Sequence, residues 1–82
     1  MREMMRDLMT VMLGCIALDE VMASELAGDA AALQASGQIE VAGTLRCLAR
    51  IHRVKALDLQ GQLAALIVDY NRLFQGEPET TP

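Results

Sequence analysis

The sequence predicts an all-α protein in which one long antiparallel helical hairpin makes up almost the whole chain. Proline occurs only at Pro78 and Pro82, so no proline interrupts a helix before about residue 75. Hydrophobic residues form 52% of the 82 residues and aromatic residues only 2%, which leaves a core of Leu, Ala, Met, Ile and Val that favours helices. Apolar residues also recur at steps of three and four in both halves of the chain, the spacing of one helix face.

The first helix is predicted at about residues 3–35. Its apolar residues form two adjacent stripes, which together are wider than the face that a surface helix buries. The first stripe is Leu8, Val11, Cys15, Leu18, Met22, Leu26 and Leu33. The second stripe is Met5, Met9, Met12, Ile16, Ala23 and Ala27. Gly28 is a weaker candidate for a break, because the alanine-rich residues after it can continue the helix.

The second helix is predicted at about residues 38–75, after a turn at Ser36-Gly37. Glycine suits the left-handed backbone position that ends many helices. The expected seam of the second helix is Val41, Leu45, Leu48, His52, Lys55, Leu59, Leu63, Leu66, Tyr70 and Leu73. Residues 76–82 contain no apolar side chain, so we expect a disordered tail after a single domain at 1–75.

Self-association is expected from the length and the width of these helices. Each helix would be about 50 Å long, and a lone hairpin offers no second layer to cover its wide apolar faces. We therefore expect a homo-oligomer in which two hairpins pair as a dimeric four-helix bundle, ferritin-like in outline, or a larger assembly of such dimers.

The composition narrows the partners and the compartment. A net charge of −4 argues against nucleic acid, since binding phosphates requires a basic surface. The apolar run at 8–18 is too short to span a bilayer, so no membrane partner is expected. Cys15 and Cys47 match no zinc spacing and are too few for a disulfide scaffold, which favours a reducing, cytoplasmic setting.

Four polar residues are predicted to meet inside the hairpin. Asp19 and Glu20 interrupt the apolar first helix at about the distance from Gly37 at which His52 and Lys55 interrupt the second. In an antiparallel hairpin, residues equally far from the turn lie at the same height. Because a buried charge is costly unless it is paired, the arrangement predicts a structural polar layer that fixes the register of the helices.

Most of the positive charge of the chain is gathered in one place. Four of the seven Lys and Arg residues lie between Arg46 and Lys55. Arg46, Arg50 and Arg53 share one side of the second helix, away from the seam. This strip predicts either a solvated surface or an interaction surface for an acidic protein partner. The methionine-rich amino-terminal turns are a second candidate contact surface, because methionine adapts to varied apolar partners.

The run IEVAGTLRCLARIHRVKALDL, Ile39 to Leu59, resembles the second helix of a rubrerythrin-type ferritin-like hairpin. In that family a Glu-x-x-His pair and a glutamate on the preceding helix ligate a di-iron centre. The resemblance places Glu20 near the helix-1 glutamate, His52 at the second glutamate and Lys55 at the histidine. It implies a site for iron or another transition metal on Glu20 and His52, with Asp19 as a further ligand, shared across a dimer. The lysine departs from the family pattern, because a cation repels a metal.

The shorter run HRVKA, His52 to Ala56, resembles the HxLKG motif of histidine phosphotransfer domains. That resemblance implies a phosphate acceptor at His52 and a steadying cation at Lys55. Ala56 stands where the family has a glycine, which departs from the motif.

The sequence contains no Ser/His/Asp set, phosphate loop or nucleotide fingerprint. These observations predict a small self-associating helical module for assembly or partner binding, with no catalysis of its own and no cofactor. The alternatives are the ferritin-like metal site on Glu20 and His52, and phosphotransfer on His52.

Overall fold

The computed structural model describes residues 1–75, which form two long helices joined by a short turn. Helix α1 spans Arg2–Ala35 and helix α2 spans Ile39–Phe74, and they pack against each other as a hairpin. No strand occurs within residues 1–75. The predicted all-α hairpin is confirmed, with each helix end within one residue of its predicted position. The predicted disordered tail at 76–82 lies outside the described residues.

Backbone hydrogen bonds close the turn between the helices. The N–H of Gly37 donates to the carbonyl of Gln34 at 3.0 Å, and the N–H of Gln38 donates to the carbonyl of Leu33 at 2.9 Å. Gly37 has a φ of 87°, the left-handed conformation that this helix cap requires. Gly28, in contrast, lies within α1 and does not break it.

A repeat of small residues forms the contact between the two helices. The buried residues of α1 are Ile16, Ala23 and Ala30, and those of α2 are Ala42, Ala49, Ala56 and Leu63. Successive members lie seven residues apart, which is the repeat of a coiled coil. Half-buried residues alternate with them, namely Met9, Met12, Asp19, Leu26 and Leu33 in α1 and Leu45, His52, Leu59 and Leu66 in α2. Alanine combines a small side chain with the highest helix propensity, so the two backbones approach closely without weakening either helix.

The buried alanines correct the seam expected for α2. Val41, Leu48, Lys55 and Leu73 belong to the expected seam but are exposed. Val41, Leu48 and Lys55 each immediately precede a buried alanine, and one residue corresponds to a rotation of about 100° around a helix. These side chains therefore lie at the margin of the contact, while the alanines occupy its centre. That part of the expected seam is wrong, because the most apolar residues are not the most central ones.

At the open end of the hairpin, a cation–π contact joins the two helices beside an aromatic pair of α2. The rings of Tyr70 and Phe74 lie 5.0 Å apart between centroids. The guanidinium carbon of Arg2 lies 6.0 Å from the centroid of the Phe74 ring. Such a cation–π contact contributes roughly 0.5–1 kcal/mol at an exposed site. It connects the first turn of α1 to the last turn of α2.

Replacing Ala49 with leucine should destabilise the hairpin, because Ala49 is only 1% exposed and a larger side chain would push the helices apart. Overpacking a core position costs about 1–3 kcal/mol, and urea denaturation followed by circular dichroism measures this change. Ala64→Leu is the matched control, since Ala64 is exposed on the same helix and should change stability by less than about 0.5 kcal/mol. Equal stability of the two variants would contradict the alanine contact.

Replacing Gly28 with alanine should stabilise the protein by about 1 kcal/mol, because glycine is the poorer helix former and an added Cβ meets nothing within 4 Å. A Cβ on Gly37 is equally unobstructed, but alanine in the left-handed conformation costs roughly 1–2 kcal/mol. Gly37→Ala should therefore lower the melting temperature while Gly28→Ala raises it. Thermal unfolding of both variants compares the two effects, and a lower melting temperature for Gly28→Ala would be inconsistent with an uncovered, continuous α1.

Candidate functional site

Asp19 and His52 form a polar contact between the two helices. The Nδ1 atom of His52 lies 2.8 Å from the Oδ1 atom of Asp19, and the two side chains are 22% and 14% exposed. Asp19 lies in α1 between the buried Ile16 and Ala23, and His52 occupies the matching half-buried position in α2. The contact is a hydrogen bond, and it becomes an ion pair when the imidazole is protonated. It fixes which turn of α1 faces which turn of α2.

Glu20 and Lys55, the other two members of the predicted polar layer, lie on opposite sides of this contact. Glu20 accepts a hydrogen bond from the Nε2 atom of Gln60 at 3.0 Å. Lys55 is exposed, and no ion-pair partner for it occurs within residues 1–75. The helical rotation separates the two, because Glu20 follows Asp19 by one residue whereas Lys55 follows His52 by three.

The structure also separates the residues predicted to bind a metal. Glu20 bonds to Gln60, whereas His52 bonds to Asp19. In the part of the chain that the structure describes, no group of three or more His, Cys, Asp or Glu side chains is placed to hold a metal ion. Glu20 and His52 thus have different hydrogen-bond partners within the described hairpin. A metal site completed by a second chain stays a prediction, as does phosphotransfer on the half-buried His52.

The hairpin has two broad faces, one on each side of the plane that contains both helices. We call one of them the polar face, because the bonds Gln60–Glu20 and Arg46–Gln34 cross between the helices on that side. Helical spacing places Arg50 and Arg53 on the same face. Arg46, Arg50 and Arg53 are all exposed. The predicted basic strip is thus a surface of the polar face, near the turn.

The other broad face carries an exposed row of apolar side chains along α1, which we call the α1 stripe. Its members are Met1, Met4, Leu8, Val11, Cys15, Leu18 and Met22. All are exposed, including Val11 at 61% and Leu18 at 63%. Their spacing alternates between three and four residues, so they form a second seam beside the one that contacts α2. We call this side the apolar face. Val41, Leu48 and Ile51 of α2, also exposed, extend it towards the turn.

Exposed apolar surface of this extent marks a contact site on a folded protein. The sequence contains the signal for it, because two interleaved apolar stripes run along α1 and a single neighbouring helix covers only one. The expected functional residues were instead the charged ones and the methionines of the amino-terminal turns. Met1 and Met4 of those turns do belong to the α1 stripe, at 80% and 75% exposure.

No protein-family model matches this chain, and no curated protein or solved structure is significantly similar to it. Neither described helix is both long enough and apolar enough to cross a membrane. The two broad faces and the Asp19–His52 contact are therefore the observations on which a function rests.

Replacing Asp19 alone with alanine should destabilise the hairpin by about 1–3 kcal/mol, because the half-buried imidazole of His52 loses its partner. Replacing both Asp19 and His52 with leucine should lower the stability of the hairpin much less, or even raise it, since no polar group is then left unpaired in the seam. Urea denaturation of the single and double variants measures the difference.

Glu20→Ala is the control for this pair, because its hydrogen bond to Gln60 is exposed and its removal should change stability by less than about 0.5 kcal/mol. A double leucine variant that is as unstable as Asp19→Ala would show that the polar contact stabilises the fold, against this expectation.

Proposed function

We propose that this chain is a self-associating helical module that acts in assembly or partner binding and has no catalysis of its own. The observation that carries the proposal is the α1 stripe, a continuous row of exposed apolar side chains over the first two thirds of α1. Pairing two hairpins through their apolar faces would remove these side chains from water and give a dimeric four-helix bundle.

The small core of the hairpin supports the same proposal. Its cluster of buried residues consists of Ile16, Ala56 and Leu63, with Met9, Met12 and Leu59 packed against it. The four other buried residues are all alanines, which contribute little apolar area. Chains of this size rarely obtain enough stability from one core and often gain it through oligomerisation. A second hairpin would supply the missing apolar layer.

The polar face would point outward in such a dimer and is the surface proposed for an acidic protein partner. Arg50 and Arg53 are exposed there, and neither has an ion-pair partner within residues 1–75. Two separate surfaces would thus serve two purposes, the apolar face for self-association and the basic strip for a partner. The cysteines, Cys15 and Cys47, are free and exposed, which supports a reducing, cytoplasmic setting.

Leu18→Glu tests the proposal, because it places a charge in the middle of the α1 stripe, where desolvating it would oppose association. We expect the wild-type chain to have at least twice the mass of one 8.9 kDa chain in size-exclusion chromatography with light scattering. The variant should shift towards one chain, with at least a tenfold weaker association at micromolar concentration, about 1.4 kcal/mol.

Leu57→Glu is the matched control. Leu57 is 65% exposed and Leu18 is 63% exposed, but helical spacing places Leu57 on the polar face. The control variant should keep the wild-type mass. A wild-type chain that stays monomeric at these concentrations, or a Leu57→Glu variant that dissociates as readily as Leu18→Glu, would refute self-association through the apolar face.

A further inference from the structure

We infer that the second copy docks in the antiparallel direction, with α1 packed against α1 of the partner and a two-fold axis crossing near Val11. This inference rests on the proposed self-association and adds its geometry. A dimer of identical chains usually has two-fold symmetry, so that the same surface patch is used by both copies. The distribution of charge on the apolar face decides between the two ways of satisfying that symmetry.

The first way has the two-fold axis parallel to the helices. The two turns then lie at the same end, and each α1 faces α2 of the partner at the same height. The second way has the axis perpendicular to the helices. The turns then lie at opposite ends, and α1 faces α1 of the partner in the reverse direction.

The apolar residues of this face are divided unequally between the helices. On α1 they occupy positions 1–22, and acidic Glu25 and Asp29 follow towards the turn. On α2 the large exposed apolar residues of this face are Val41, Leu48 and Ile51 near the turn, with Leu73 at the far end of the helix. Because Asp19 contacts His52, the α1 stripe lies beside the part of α2 that runs from about His52 to the carboxyl-terminal end of that helix. On the apolar face that part carries mainly polar residues, namely Lys55, Asp58, Gln62, Asp69 and Arg72, together with Ala65.

An axis parallel to the helices would therefore set the α1 stripe against charged residues of the partner. Glu25 and Asp29 would in turn lie against the apolar residues of α2 near the turn. Desolvating these charges is costly, because Lys55 and Asp58 have no ion-pair partner within residues 1–75 and the Asp69–Arg72 pair is exposed to water. An axis perpendicular to the helices sets the α1 stripe against the α1 stripe of the partner, and the polar part of α2 against the same part of the partner's α2. Apolar side chains then meet apolar ones, while the charged side chains of α2 meet polar ones and can stay paired or hydrated.

The α1 stripe can face a reversed copy of itself about Val11, the middle one of its seven members. Reversal about Val11 exchanges Met4 and Leu18 and brings the other members to within one residue of each other. Reversal about this point brings the amino terminus of one α1 beside Met22 of the other, one turn from Glu25. A carboxylate near the positive amino-terminal end of a helix is favourable.

The size of the overlap also fits a dimer. The α1 stripe covers residues 1–22, about 33 Å at the rise of a helix, and the hairpin is 23 Å wide. The overlapping area is roughly 750 Å² per copy, close to the area of about 800 Å² that each partner contributes to a stable interface.

A series of single thiols tests the direction of docking. In a Cys15→Ser/Cys47→Ser background, one cysteine is introduced by Met4→Cys, Val11→Cys or Leu18→Cys, and each protein is mildly oxidised as a dimer. A disulfide requires the two Cα atoms to lie within about 7 Å. In the antiparallel arrangement, the distance between the two copies of a residue grows by about 3 Å for each residue that separates it from the axis, because the helical rise counts once in each copy. We therefore expect a covalent dimer for Val11→Cys, at least tenfold more than for the other two variants.

Ser24→Cys is the control for random collision, since Ser24 is exposed and helical spacing places it on the polar face. Equal cross-linking at positions 4, 11 and 18 would show that the α1 helices run parallel and overturn the inference. No cross-linking at any of the three in a protein that light scattering shows to be dimeric would show that α1 faces another surface, and would also overturn it. A monomer by light scattering, before any oxidation, would instead refute the proposed self-association itself.

Discussion

The close contact of α1 and α2 through alanine at every seventh position is the constraint on which the rest of the structure depends. Ala23 and Ala30 of α1 and Ala42, Ala49 and Ala56 of α2 are at most 3% exposed. Small residues bring the helix axes together, so the contact buries a narrow strip and leaves larger side chains outside it. The leucines, valines and methionines of the apolar face are exposed for this reason, and the same geometry that joins the hairpin creates its outer apolar face.

The Asp19–His52 contact has a different role from the alanines. It lies in the seam, where an unpaired polar group would be costly, and any sliding of one helix along the other would separate its two atoms. Its net contribution to stability is small, because pairing mostly offsets the desolvation of the two groups. It contributes specificity instead, since only one register of the hairpin keeps both groups paired. Neighbouring Glu20 and Lys55 are directed outward to the two broad faces.

The division into a polar and an apolar face gives the hairpin two different surfaces. Arg46 and Gln60 bond across the helices on the polar face, which holds that side together and keeps it hydrated. The apolar face carries the α1 stripe, whose side chains favour contact with another apolar surface. A chain with one narrow seam and one apolar face has the form of half a four-helix bundle. Self-association would complete the layered arrangement that stable domains require.

The sequence by itself determined the two helices, their ends and the turn, because these depend on local properties: helix-forming residues, the absence of proline before Pro78, and one glycine suited to φ of 87° at Gly37. Distance from the turn also brought Asp19, Glu20, His52 and Lys55 to about one height, but it placed Asp19 level with Lys55 and did not select the Asp19–His52 pair. Only the tertiary structure decided which apolar stripe is buried. The two stripes of α1 have similar hydropathy and spacing, and alanine carries little apolar surface to mark it as central. The choice depends on how closely two helices approach, which is a property of the pair and not of either helix alone.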